Sequence, residues 1–330
     1  MWLELYEQAV DSGEAAAGYY NRNVGLPTPE GKVNVRIPIA AADTMDVRLW
    51  QEEDVLACIR PYAGRVPELR HVSRTPRFQV HHFIAGRVLD AFSPRGAAVP
   101  PHVLDDVVTL MEQLTRIPRE KAPALPVHWP GPGDGPGFGR LLADLTQQVH
   151  STYVGEYREA FRLLGIPEDP LAVVRPRWGG LTARPFAVLH ADLHRKNMIV
   201  ADGATWFLDW ELALWGDPMY EIGIHFHKMD YPDDQRAEVF RRWRERLRPE
   251  YTAGPVADLR LYMDHEKIKS AVVDTVRYSK QLAASSPAER DFLVMRLVKK
   301  INAARRVWGS PPELTPERVA AALAPWWKGR

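Results

Sequence analysis

The chain has 330 residues, 45% hydrophobic and 26% charged, which is enough for one large core or two lobes. A formal net charge of +1 gives no overall field for nucleic acid or an anionic membrane, and the single cysteine, Cys58, excludes an internal disulfide framework and suits a reducing cytoplasm. No stretch approaches about 20 uninterrupted apolar residues, so no membrane span is expected, and the opening MWLELYEQAVDSGE lacks the basic n-region of a signal peptide.

Residues 15–42 read as paired strands: GYYNRNVGLP, a polar turn at TPEGK, then VNVRIPI. Val33, Val35, Ile37 and Ile39 alternate with polar residues or proline, as in a half-buried strand. A helix is expected next, with Met45, Leu49, Leu56 and Ile59 on one face and Asp43 or Thr44 at its cap. Cys58 lies in its VLACI and reads as a small buried apolar residue. FQVHHFIAG, near residue 78, reads as a strand entering a glycine turn. The order strand, strand, helix, strand suits a small mixed lobe over 1–86, leaving 87–330 as a larger, mainly helical lobe.

In that second part, Leu104, Val107, Val108, Met111 and Leu114 form the first helical stripe. PREKAPALPVHWPGPGDGPGFG follows and reads as a long surface loop, because proline and glycine dominate it. No strand precedes its GPGDGPGFG, and its prolines remove amide donors, so it is not a phosphate-binding loop. Further on, Ser286, Pro287 and Glu289 spell a capping box, and Thr315-Pro316 repeats the start signal.

Between these helices stands VLHADLHRKNMIVADGATWFLDWELALWGDP, residues 188–218. Asp202-Gly203 predicts a hairpin in which Val200 faces Thr205, Met198 faces Phe207 and Asn197 faces Leu208. An amide oxygen and the Asp209 carboxylate thus meet at the hairpin's open end, provided the chain bends at Asp209. Such hard oxygen donors suit Mg²⁺. Asp192, five residues before Asn197, could accept a proton from an attacking hydroxyl. His190 reads as a prop for this loop. The pairs His81-His82 and His225/His227 lack a third ligand at zinc spacing and read as packing residues.

At these residues the chain resembles the aminoglycoside phosphotransferase and choline kinase family, whose fold is similar to that of protein kinases. HADLHRKN is similar to the family's H-x-D-x₄-N catalytic loop, and LDWELALWGDP to its metal-binding D-W-E segment and following G-D-P. The resemblance implies an α+β, bilobal kinase-like fold, with Asp192 as base, Asn197 and Asp209 as Mg²⁺ ligands, Glu211 in support and Asp217 holding local structure. GYYNRNV resembles the hairpin over the nucleotide phosphates, with Gly18, Asn21 and Asn23 at its turn. Arg36 stands where protein kinases carry a lysine, Glu52 (or Glu53, one register on) is its implied partner, and VHHFIAG resembles the hinge whose His82 and Ile84 backbone groups bind adenine. Arginine keeps the charge but exchanges a point cation for a planar fork.

The implied activity is transfer of phosphate from ATP or GTP, with Mg²⁺, to a hydroxyl of a small molecule, an antibiotic before all. A metabolic acceptor (choline, homoserine, a methylthio-sugar) is the alternative, and a catalytically silent binding fold the second. Asp264 and Glu266, in YMDHEKIKS, are candidates for meeting a cationic acceptor. The terminal APWWKGR is basic and aromatic, which favours an acceptor that stacks on Trp or Tyr over a polycation. RRWRERLRPE has no adjacent run of further charge or aromatic interleaving and reads as a surface helix, so no nucleic-acid partner is expected.

Overall fold

The computed structural model describes residues 1–13, 16–17, 20–39, 45–282 and 284–327, with the backbone path alone at 16–17 and 327. In chain order the elements are α1 (Trp2–Asp11), β1 (Ala16–Ala17), β2 (Asn21–Thr28), β3 (Gly31–Pro38), α2 (Glu52–Ile59), β4 (Leu69–Arg74), β5 (Arg77–His82), β6 (Arg87–Val88) and α3 (Pro101–Thr115). There follow α4 (Gly135–Leu164), β7 (Ala187–Leu189), β8 (Met198–Ala201), β9 (Ala204–Phe207), β10 (Leu214–Gly216), α5 (Pro218–Met229) and α6 (Asp233–Arg246). The last are α7 (Pro249–Thr252), α8 (Val256–Leu282), α9 (Pro287–Val307) and α10 (Pro316–Trp327). The chain forms two compact units, the first from residues 1–126, 187–215 and 228–249, the second from the remainder. Among the described residues no helix is long and apolar enough to cross a membrane.

The first unit contains an antiparallel sheet in the order β1-β2-β3-β5-β4. β2 and β3 join through Pro29-Glu30, which sets Thr28 opposite Gly31 and Asn21 opposite Pro38. One face is apolar: Val24, Val33, Val35, Phe78 and Val80 pack against Leu5 and Ala9 of α1. Trp2 stacks on His71 and Tyr6 on Phe78 at the margin. Neither α1 nor β4 was expected. α1 buries only Leu5 and Ala9, and LRHVSR lacks a clean apolar alternation, so both depend on the sheet they join.

The helix expected from Met45 begins only at Glu52. Gln51 is extended (φ −77°, ψ 141°), and the Trp50 indole donates to the Ala124 carbonyl at 2.9 Å, tying the approach to another segment. Three acidic residues, Glu52, Glu53 and Asp54, fill the first turn, where the helix dipole favours them. The expected caps, Asp43 and Thr44, lie outside the described residues.

The rest of the unit is built around α3, whose predicted stripe is fully buried and packs on α6, β7 and β9. β8 and β9 form the predicted hairpin, with Met198 opposite Phe207 and Val200 opposite Thr205, and β6 adds a third strand. Gly86 leads into β6 so close to β8 that a Cβ there would lie 2.6 Å from the Val200 carbonyl oxygen; only glycine permits the approach.

The second unit is helical, with α4, α8, α9 and α10 packed on one another. Here a second expectation is corrected: GPGFG, read as loop, is the first turn of α4. Asp134 caps it by accepting from the Gly137 amide at 2.8 Å, and Pro136 occupies the N-terminal turn, where no amide is needed. Gly139 costs helix propensity, but any Cβ there would sit 2.4 Å from the buried Trp178 ring. The capping box of Ser286 and Glu289 starts α9 as expected.

Candidate active site

β7 is wholly buried and delivers His190, also buried, after which Ala191 takes a left-handed turn (φ 58°) that redirects the chain. The His190 ring donates from Nε2 to the Leu208 carbonyl at 3.0 Å and accepts at Nδ1 from the Asp192 amide at 3.3 Å. That pattern requires a neutral imidazole, and burial pushes its pKa down to about 4. His190 lies against Trp210, ring centres 4.3 Å apart, so one histidine ties the loop before β8 to the turn after β9.

Asp192 has both carboxylate oxygens engaged. Oδ2 accepts from the Asn197 side-chain amide at 3.0 Å, and that amide also reaches the Asp192 carbonyl at 3.0 Å. Oδ1 bonds the ammonium of Lys228 and lies 3.5 Å from His194 Nε2. Because His194 Nδ1 accepts from the Lys196 amide at 3.2 Å, its ring hydrogen sits on Nε2, facing the carboxylate. Burial works to raise the Asp192 pKa, but Lys228 and His194 outweigh it and hold the carboxyl well below its usual range. The group is an anion, held in place from two sides.

Asn197 spends its amide nitrogen on Asp192, which leaves its amide oxygen as the atom for a cation. Its backbone carbonyl accepts from Leu208 at 2.8 Å, closing the hairpin's end as the register required. Asp209 then supplies the bend: its φ is +64°, a left-handed conformation uncommon outside glycine and asparagine. Trp210, fully buried, locks that bend by donating its indole N–H to the Phe207 carbonyl at 2.9 Å and its amide to Glu52 Oε1 at 3.0 Å.

Arg36 lies on the opposite face of β3 from Val35, almost wholly buried, amid three carboxylates. Nε is 3.1 Å from Glu52 Oε2, and Nη2 is 2.5 Å from Asp209 Oδ1 and 3.6 Å from Glu211 Oε2. Burial disfavours the cation, yet Asp209, Glu52 and Glu211 together raise its pKa above the usual value. Glu53, the alternative partner, instead accepts from Gln79 at 2.9 Å. Glu211 also accepts from Arg48 at 3.0 Å and from Asn21 at 2.9 Å, while Arg48 stacks over Tyr20. Burial, and then the neighbouring charge of Asp209, push the Glu211 carboxyl up to about 7.

Two neighbouring carboxylates, Asp209 and Glu211, with an amide oxygen on the adjoining strand end, are a donor set that fits Mg²⁺. That ion takes one or two protein carboxylates and fills its shell with water and phosphate oxygens. Among the described residues no group of three or more His, Cys, Asp or Glu forms a metal-binding cluster.

Other expected residues fall differently. Asn21 opens β2 and Asn23 lies within it, accepting from Asn34 at 3.2 Å, so neither is a turn residue; strand pairing with β3 has absorbed them. Gly18 lies outside the described residues. The His82 amide donates to the Glu68 carbonyl at 2.8 Å, and Ile84 is half-buried two residues on. Within the second unit, Asp264 and Glu266 do not share a site. Asp264 is paired with Arg177 at 3.1 Å and Lys267 at 3.0 Å, whereas Glu266 is buried beside Tyr220 and His265. Asp217 holds local structure there, accepting from Arg184 at 2.8 Å, Tyr262 at 2.9 Å and the Met219 amide at 2.9 Å. Trp326 of the terminal WW stacks flat on Tyr157 at 4.9 Å, and the side chain of Trp327 and residues 328–330 lie outside the described residues.

Sequence reading missed Lys228, His194 and Arg48. HADLHRKN shows His194 at the second position after Asp192, a signal that was available. Lys228 and Arg48 reach their partners from 36 and 163 residues away, and no spacing rule could find them.

This arrangement, an α+β fold with an H-x-D-x₄-N loop, a hairpin and a bent D-W-E segment facing a cation on a strand, is that of the protein-kinase-like phosphotransferases. Residues 14–255 match the APH family, described as the phosphotransferase enzyme family. The chain belongs to this phosphotransferase family. No curated protein matches it. Among solved structures it is similar to a choline/ethanolamine kinase family protein from Mesorhizobium loti (TM-score 0.59, 16% identity, 98% of each chain covered). It is also similar to the macrolide 2'-phosphotransferase MphH from Brachybacterium faecium (TM-score 0.53, 16% identity, 96% of this chain and 100% of that one). A third is a thermostable mutant of the aminoglycoside phosphotransferase APH(4)-Ia in ternary complex with ADP and hygromycin B (TM-score 0.54, 14% identity, 98% and 97%). At these identities the likeness concerns the fold.

Proposed function

We propose that this chain uses ATP and Mg²⁺ to phosphorylate a hydroxyl group of a small molecule, an antibiotic in the first place, and thereby inactivates it. The observation that carries this reading is Asp192, an ionised carboxylate fixed by Asn197, one hairpin away from Asp209 and its cation Arg36. Solved relatives in fold that hold ADP or act on macrolides and aminoglycosides support it.

In this reading Asp192 orients the acceptor hydroxyl and takes its proton as the oxygen attacks the terminal phosphorus; the bond to the second phosphate breaks and ADP leaves. Asn197 and Asp209, with Glu211 in support, would hold Mg²⁺, which supplies neutralisation of phosphate charge. Arg36, placed by Glu52, offers a further cation to the phosphates. Asn21 and Asn23 face the phosphates from their strand, and the backbone groups of His82 and Ile84 meet the adenine. Residues 1–86 then act as the nucleotide lobe and 87–330 as the lobe of the catalytic loop and acceptor.

Choline/ethanolamine kinases share the fold as closely as the antibiotic kinases do, so a metabolic amino alcohol is the second reading. Incubation with ATP, Mg²⁺ and a panel of antibiotics and amino alcohols, read by mass for one added phosphate, decides between them. Modified antibiotics alone support the first reading and modified amino alcohols alone the second. Nucleotide binding with no product across the panel points to a silent fold.

A further inference from the structure

Lys228 stands beside the reacting centre with no role assigned by the family motif. It lies in the last turn of α5, and among the described residues its one polar partner is Asp192 Oδ1. Its side chain is 23% exposed, so it is not sealed within the core. Two further cations near the site are already bonded to protein oxygens. Arg36 is surrounded by Glu52, Asp209 and Glu211, and Arg195 is 2% exposed.

Arg195 also explains how Lys228 is placed. It follows Asp192 by three residues, donates to the Ser93 carbonyl at 2.8 Å, the Ser93 hydroxyl at 2.7 Å and the Ala97 carbonyl at 2.6 Å, and donates from Nε to the Met229 carbonyl at 3.1 Å. The residue after Lys228 is therefore tied to the catalytic loop by a buried guanidinium.

Resting on the kinase reading, we propose that Lys228 binds an oxygen of the terminal phosphoryl group of the nucleotide while it stays on Asp192. Phosphoryl transfer spreads charge over three oxygens, and fixed cations beside them are the main means of stabilising it. As the acceptor proton passes to Asp192, negative charge leaves that carboxylate and gathers on the group in transit. An ammonium with three N–H donors on a flexible stem can hold the first while it meets the second. Lys228 itself neither gains nor loses a proton.

The test is calorimetric titration of the full chain with Mg·ADP and with Mg·AMP-PNP, which differ by the terminal group. Lys228→Met is expected to leave the ADP affinity within about twofold and to weaken AMP-PNP roughly 10–100-fold, as loss of a charge-assisted hydrogen bond does; Lys228→Arg should recover part of the loss. Since Lys228→Met strands the Asp192 charge, the same comparison is made in Asp192→Asn, where no charge needs neutralising. There, a persistent selective loss of AMP-PNP affinity supports the contact, and equal affinities with and without Lys228 overturn it. Equal loss of both nucleotides also overturns it, as a purely structural effect. A wild-type chain that binds neither nucleotide removes the kinase reading itself.

Discussion

Arg36 and Asp209, 173 residues apart in sequence, meet at 2.5 Å, so the cation of β3 sits on the carboxylate that ends the hairpin. Asp209 has a second task in the proposed function, as ligand to Mg²⁺. Asp209→Ala is expected to abolish Mg²⁺-dependent turnover. Undiminished product formation by this variant, or by the wild-type chain in excess chelator, would reject the metal assignment.

Glu52 meets two needs at once, the charge of a buried guanidinium and the buried amide of Trp210. Glu52→Ala strands both and is expected to destabilise by about 3–5 kcal/mol, the range for breaking a buried pair from one side. Glu53→Ala, which loses only a half-buried contact with Gln79, should cost about 1 kcal/mol. Urea denaturation of the two variants checks the order. If they unfold at the same concentration, the pairing of Arg36 with Glu52 does not carry the stability ascribed to it.

Asp192→Ala should lower kcat roughly 10²–10⁴-fold through loss of general-base assistance. A near wild-type rate on any acceptor found in the panel would remove Asp192 from the chemistry.

Two buried imidazoles make the first unit sensitive to acid. Burial holds His190 at about 4, and burial together with the charge of Arg36 holds His81 at about 3. Both values lie below the ordinary value near 6.5, so on acidification the unfolded chain takes up these protons first. The stability they contribute is complete above about pH 6.5 and is lost as pH falls towards 4 and then 3, each histidine adding up to about 1.4 kcal/mol per pH unit. His81→Gln, which can keep the bond to Gln79 without titrating, should flatten the fall by one proton; denaturation midpoints between pH 4 and 7 measure this. An unchanged slope would mean that His81 is not held neutral in the folded chain.

What the linear chain determines is local. The hairpin register follows from Asp202-Gly203, the capping box of α9 from Ser286 and Glu289, and the order Asp192, Asn197, Asp209 from a spacing that places them at the ends of one hairpin. Even the bend at Asp209 was required, since strand alternation alone would have sent its carboxylate away from Asn197. The start of α2 and the first turn of α4 were not legible in this way. Trp50 is held by Ala124, and Gly139 is a glycine because of Trp178, two reasons that exist only once distant segments touch. Charge belongs to the same class. Which glutamate takes Arg36, and that a lysine from α5 meets Asp192, depend on electrostatics acting across space between side chains far apart in sequence, while motif spacing records only what neighbours do.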